Sequence, residues 1–100
     1  MSRYSEFDRN LQGIAKAIGS LRAAVGPMGA MPHGDEKKIN EALARLEEIH
    51  QRWKQHADFF AVRPGVKFSM PMDWDNDKAS RYDATMIIQH ILESHQRPAP

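Results

Sequence analysis

One hundred residues hold one hydrophobic core and leave no chain for a second. The composition, 41% hydrophobic and 27% charged, is that of an ordinary globular chain, and a net charge of +1 gives no field that would steer the whole molecule toward a polyanion. The absence of cysteine excludes disulfides, thiolate metal sites and cysteine nucleophiles together.

No apolar run approaches the roughly 20 residues that a membrane span needs. The opening Met-Ser-Arg-Tyr-Ser-Glu lacks the apolar core of a signal peptide. A cytoplasmic setting with no membrane partner is therefore expected. Charge is also nearly even along the chain. Residues 1–34 carry Arg3, Arg9, Lys16 and Arg22 against Glu6 and Asp8, a surplus of two cations; residues 35–61 carry one more anion than cations; the rest balances. This is far from a nucleic-acid-binding tail, and no nucleic-acid partner is expected.

The first predicted helix covers about residues 4–25. Its apolar positions Phe7, Leu11, Ile14, Ile18, Leu21 and Val25 alternate spacings of four and three, the seam of a packed helix. Ser5 with Asp8 three residues on makes a weak capping box, and Ser2 is a competing cap. Gly26-Pro27 ends the helix. Gly13 and Gly19 weaken it and mark places where another backbone could come close. Residues 26–34, Gly-Pro-Met-Gly-Ala-Met-Pro-His-Gly, form a loop rich in breakers, whose Met28 and Met31 either fold back over the helix ends or form an adaptable contact surface.

A second helix over about residues 36–61 is expected to start with Asp35 as its N-cap. Ile39, Ala42, Leu46, Ile49, Trp53, His56 and Phe60 repeat the same three-four spacing. Two neighbouring stretches with matched seams pair as an antiparallel helical hairpin. Glu41, Arg45, Glu48 and Arg52 form the opposite, solvated face, spaced for ion pairs along the helix. Arg63-Pro64-Gly65 closes it.

Residues 63–76 are irregular and apolar. Val66, Phe68, Met70, Met72 and Trp74 alternate as in a strand, but Pro71 and the lack of a second strand argue against a sheet, so an extended segment across the hairpin is expected. Asp77 is expected to cap a third helix over about residues 78–94, which buries Ala84, Ile87, Ile88, Ile91 and Leu92 with Tyr82 and Met86 alongside. The fold class is all-α: an antiparallel helical hairpin plus a third helix, a self-associating three-helix bundle in one domain (1–97), with residues 98–100 as a disordered tail.

No constellation of residues carries chemistry. A calcium loop starting at Asp73 would need glycine at its sixth position and glutamate at its twelfth, where the chain has Lys78 and Ala84. Glu47 and His50 have the spacing of a di-iron pair, but such sites need a second pair and two further inward carboxylates. Neither His50 with His56 nor His90 with His95 shares one helical face. His56, on the seam, is either a hydrogen-bonded core residue or an interface residue. No metal and no cofactor are expected.

What remains is aromatic and methionine content outside the seams, a type of residue enriched where proteins bind proteins. The expected function is that of a small non-enzymatic regulator, inhibitor or accessory subunit, of the kind phages and mobile elements often encode. Its contact residues would be Phe68, Met70, Met72 and Trp74, with Met28 and Met31 second, although the same side chains could instead cover the hairpin. The alternative is a helical dimer that binds a small anionic ligand or nucleotide through Arg9, Arg22, Lys37 or Arg81.

Overall fold

The computed structural model describes residues 3–29 and 31–96. Ser2 and the expected tail at 98–100 lie outside the described residues. Three helices follow in order: α1 (Arg3–Val25), α2 (His33–Ala61) and α3 (Trp74–Gln96), with a short 3-10 turn (Gly26–Met28) after α1. They pack as a bundle, and no strand occurs among the described residues. With 29 residues, α2 runs for about 43 Å and forms the spine. Both neighbours run antiparallel to it, as pairs along the bundle record. Arg22 and Phe7 of α1 meet Glu47 and His56 of α2, and Asp35 and Arg52 of α2 meet His95 and Asp77 of α3.

The expected seams form most of the core; His56 and Phe60, at the end of the α2 seam, are only half-buried. Phe7, Ile14 and Leu21 are buried at exact heptad spacing, with Leu11, Ile18 and Val25 packed beside them. Each fully buried side chain of this size contributes about 1.5–3 kcal/mol. On α2, Leu43 joins the expected stripe of Ile39, Ala42, Leu46, Ile49 and Trp53, because a helix clasped from two sides needs a wider apolar face than a hairpin partner does. On α3, Ala84, Ile88, Ile91 and Leu92 are buried, whereas Ile87 is 45% exposed. Ile87 precedes Ile88 by one residue, about 100° around the helix, so the stripe that holds Ile88 turns Ile87 outward.

The helix starts differ from those expected. α2 begins at His33, and the Pro32 carbonyl accepts from the Asp35 and Glu36 amides, both at 3.0 Å. Asp35 is therefore a first-turn residue, favoured there by the helix dipole. α3 begins at Trp74, a full turn before the expected cap. Asp73 precedes it in the left-handed region (φ 62°), and its carbonyl accepts the Asp77 amide at 2.8 Å.

Asp77 is thereby carried into the interior, where it is 6% exposed. Arg52 Nη2 donates to one carboxylate oxygen at 2.6 Å, and the buried Trp53 Nε1 donates to the other at 3.3 Å. The hydrogen bond that Arg52 donates to Asp77 is also the leading reason that the Arg52 pKa is raised above its ordinary value. Arg52 reaches back to Glu48 as well, at 2.9 Å, the expected ion pair along the helix. No buried side-chain polar atom among the described residues lacks a partner.

The two glycines of α1 do not admit a neighbouring backbone. What stands over Gly13 is the guanidinium of Arg81, 3.3 Å from where a Cβ would sit, and nothing lies within 4 Å of that position at Gly19. Burial lowers the Arg81 pKa from its ordinary value.

Three stability changes follow. Asp77→Ala leaves Trp53 Nε1 without its acceptor and Arg52 without its buried partner, and is expected to cost about 2–3 kcal/mol in a urea titration. A change within about 0.5 kcal/mol, ordinary for surface positions, would contradict this. Asp73→Gly removes the cost of a left-handed side-chain-bearing residue and is expected to stabilise by about 0.5–1 kcal/mol, whereas Asp73→Val destabilises. Gly13→Ala is expected to raise the melting temperature, gaining up to about 1 kcal/mol of helix propensity, since the flexible end of Arg81 can shift by a few tenths of an ångström.

Candidate functional site

The two ends of the bundle differ. At one end α1 runs into the 3-10 turn, and Gly29 adopts the left-handed φ of 71° that reverses the chain. Met28 and Met31 are half-buried there and pack against the core. His95 Nε2 and Asp35 Oδ2, 2.9 Å apart, join α3 to α2 near this end.

The other end is aromatic. It is built from the start of α1, the end of α2, the connection 62–73 and the start of α3. Phe7 is wholly buried, and its ring lies 5.4 Å from both His56 and Phe68 and 5.7 Å from Trp74. Trp53 and Trp74 stack at 4.8 Å in a tilted pair. Phe68 also meets Tyr4 edge-on at 5.2 Å and Phe60 at 5.1 Å. Such ring pairs are worth about 0.5–1.5 kcal/mol beyond their burial. The His56 Nε2 lies 2.7 Å from the Ser69 carbonyl, so this seam histidine is hydrogen-bonded and ties the connection to α2.

The contact residues expected from the sequence divide by depth. Trp74 is buried at 7% exposure, Phe68 and Met70 are half-buried against the core, and Met72 is 89% exposed. Three of the four thus cover the helices and one projects. Around this floor stand exposed apolar side chains that the helical seams did not mark: Tyr4, Phe59, Val62 and Val66, of which Val62 is 73% exposed. Val62 and Val66 flank Arg63-Pro64-Gly65, and Phe59 adjoins the seam residue Phe60. The available signal was apolar residues sitting off the seam beside a breaker. The Arg63 guanidinium lies 4.0 Å from the Phe59 ring centroid and donates to the Phe59 carbonyl at 2.8 Å, holding the turn against α2. Large exposed apolar patches of this sort mark interaction surfaces.

The four cations of the anion-binding alternative do not converge. Arg9 and Arg22 are thirteen residues apart on α1, about 20 Å along its axis. Arg22 is paired with Glu47. Lys37 borders a shallow hollow on the outer side of α2 with His33, Glu36 and Asn40, and Arg81 lies over Gly13. Of the aspartates in the connection, Asp77 is bound to Arg52 and Trp53 in the interior, and Asp73 and Asp75 are exposed. No three His, Asp or Glu side chains among the described residues are grouped as a metal would require.

A second surface feature lies along the side of the bundle. α2 and α3 enclose a groove of about 730 Å3. Ala42 and Ala84 make its floor, Ile87 and Ile91 its apolar wall, and Glu41, Arg45, Asp83 and His90 part of its rim. Two alanines facing each other between the helices leave the hollow. No helix among the described residues is long and apolar enough to cross a membrane. No family model matches this chain, and neither the curated proteins nor the solved structures contain a match to it.

Proposed function

We propose that the chain is a small, non-catalytic protein-binding module, a regulator, inhibitor or accessory subunit, which engages its partner with the aromatic end of the bundle. The observation that carries this reading is the grouping of Tyr4, Phe59, Val62, Val66 and Met72, all about half or more exposed, over a rigid aromatic floor at one end. Because the backbone beneath these side chains is packed on the core, binding need not order the chain itself, which spares part of the entropic cost of association. In this reading Phe68, Met70 and Trp74 act mainly from beneath, fixing the chain segment that presents Met72 and Val66. The same proposal includes the cytoplasmic setting and the self-association expected from the sequence.

Capture from lysate with the wild-type chain, compared with a Met72→Asp/Val66→Asp variant, tests the surface. One partner is expected to be enriched by the wild type and lost with the variant, at unchanged helicity by circular dichroism. A partner retained at equal yield by both chains would overturn the assignment.

A further inference from the structure

Where α1 and α3 meet, we propose a binding site for a phosphate monoester, held by Arg81, Arg9 and Lys16 over the bare backbone at Gly13. It is independent of the aromatic end and of self-association.

Arg81 carries the argument. Among the described residues it is the only arginine that is not exposed. Arg22 and Arg52 hold carboxylates, and Arg63 holds a carbonyl. Arg81 has neither an ion pair nor a hydrogen bond among the described residues, and its guanidinium lies against α1, 3.3–3.9 Å from where a Gly13 Cβ would sit. Burial lowers its pKa and no acceptor opposes the shift, the reverse of Arg52. Stripping water from a charge without supplying an acceptor costs free energy. Yet the guanidinium stays open on one side, because no side-chain nitrogen sealed from solvent lacks a partner among the described residues. An anion arriving from that side supplies the missing acceptor.

The position of Gly13 decides which cations join it. Arg9 stands four residues before it and Lys16 three after, so both share its face of α1, with Cβ positions about 5–6 Å away. Both are exposed and long enough to reach the space over the Arg81 guanidinium. No acid interrupts α1 between Arg9 and Lys16. Glu6, two turns before Gly13, is engaged by Lys78 at 3.8 Å. On α3 the acids within a turn of Arg81 are turned elsewhere: Asp77 is bound to Arg52, and Asp83 lines the groove against α2. Three cations thus gather with no carboxylate among them, on a chain whose net charge is only +1. One arginine fork suffices for a carboxylate. Cations from two helices suit a tetrahedral dianion with several oxygens to share, which is what a phosphate monoester offers. Thr85, half-buried one turn beyond Arg81 on the same side of α3, adds a hydroxyl.

Amide chemical shifts of the isotope-labelled full chain, titrated with inorganic phosphate and with a phosphoserine peptide against sodium chloride at matched ionic strength, test this. Saturable shifts are expected around residues 9–17 and 78–85 with both phosphates and not with chloride. Tighter binding of the peptide assigns the monoester to a phosphorylated protein, and equal binding to a small metabolite; either supports the site. Arg81→Met and Lys16→Ala are each expected to weaken phosphate binding by roughly tenfold or more. Lys16 is exposed, so its exchange leaves the fold intact. Without phosphate, Arg81→Met is expected to match or exceed the wild type in melting temperature, because it removes a charge that burial has left without an acceptor. A lower melting temperature for Arg81→Met, with phosphate binding kept in Lys16→Ala, makes the arginine structural and overturns the site. Shifts that chloride reproduces overturn it as well. Binding of a single-stranded DNA oligonucleotide through these residues, with no response to either phosphate monoester probe, overturns the choice of ligand.

Discussion

Everything in this fold depends on Phe7, Trp53 and Trp74 meeting in one place. Each comes from a different helix, and Phe68 of the connection closes over them. Three helices joined by a short and a long connection have many ways to pack. Rings of this size and shape permit few of them, because aromatic faces and edges must be offset and the interior must be filled. The buried carboxylate of Asp77 sharpens the constraint. It must sit where both Arg52 and Trp53 Nε1 reach it, which sets the height of α3 on α2. From that register come the groove on one side and the position of every rim charge along it.

The aromatic cluster also explains why the two ends of the rod differ in character. At the end with Met28 and Met31, the turn is short and its apolar side chains are half-buried against the core. At the other, a connection of twelve residues has to cross from α2 to α3. It does so by folding Phe68 and Met70 inward, and the residues between them and around the turn are left facing out. A rigid floor with apolar projections is a by-product of closing the core there, and it is also the form that a protein-binding surface takes.

Much was legible in the sequence because helical periodicity is a local property. The heptad spacing of Phe7, Ile14 and Leu21, the stripe from Ile39 to Trp53 and the run from Ala84 to Leu92 each name a buried face with no knowledge of the others. The helix starts were less legible. Asp35 and Asp77 are good capping residues by type, yet the helices start earlier, at His33 and Trp74, and both acids fall within the first turns. Glu41 and Arg45 have the spacing of an ion pair, as Glu48 and Arg52 do, but only the second pair forms, drawn in by the arginine's bond to Asp77.

The sequence by itself determined that the chain is helical, which stripes are apolar, and that breakers divide it near residues 26–34 and 63–76, since propensity, periodicity and chain-breaking act over a few neighbouring residues. Only the tertiary structure decided which irregular apolar residues cover the core and which project, that Ile87 lies outside, and that Asp77 lies within. Those outcomes depend on where one helix sits against another. That placement is set by ring packing and by a single buried hydrogen-bonded charge between residues 24 and 25 positions apart, a separation over which local spacing carries no information.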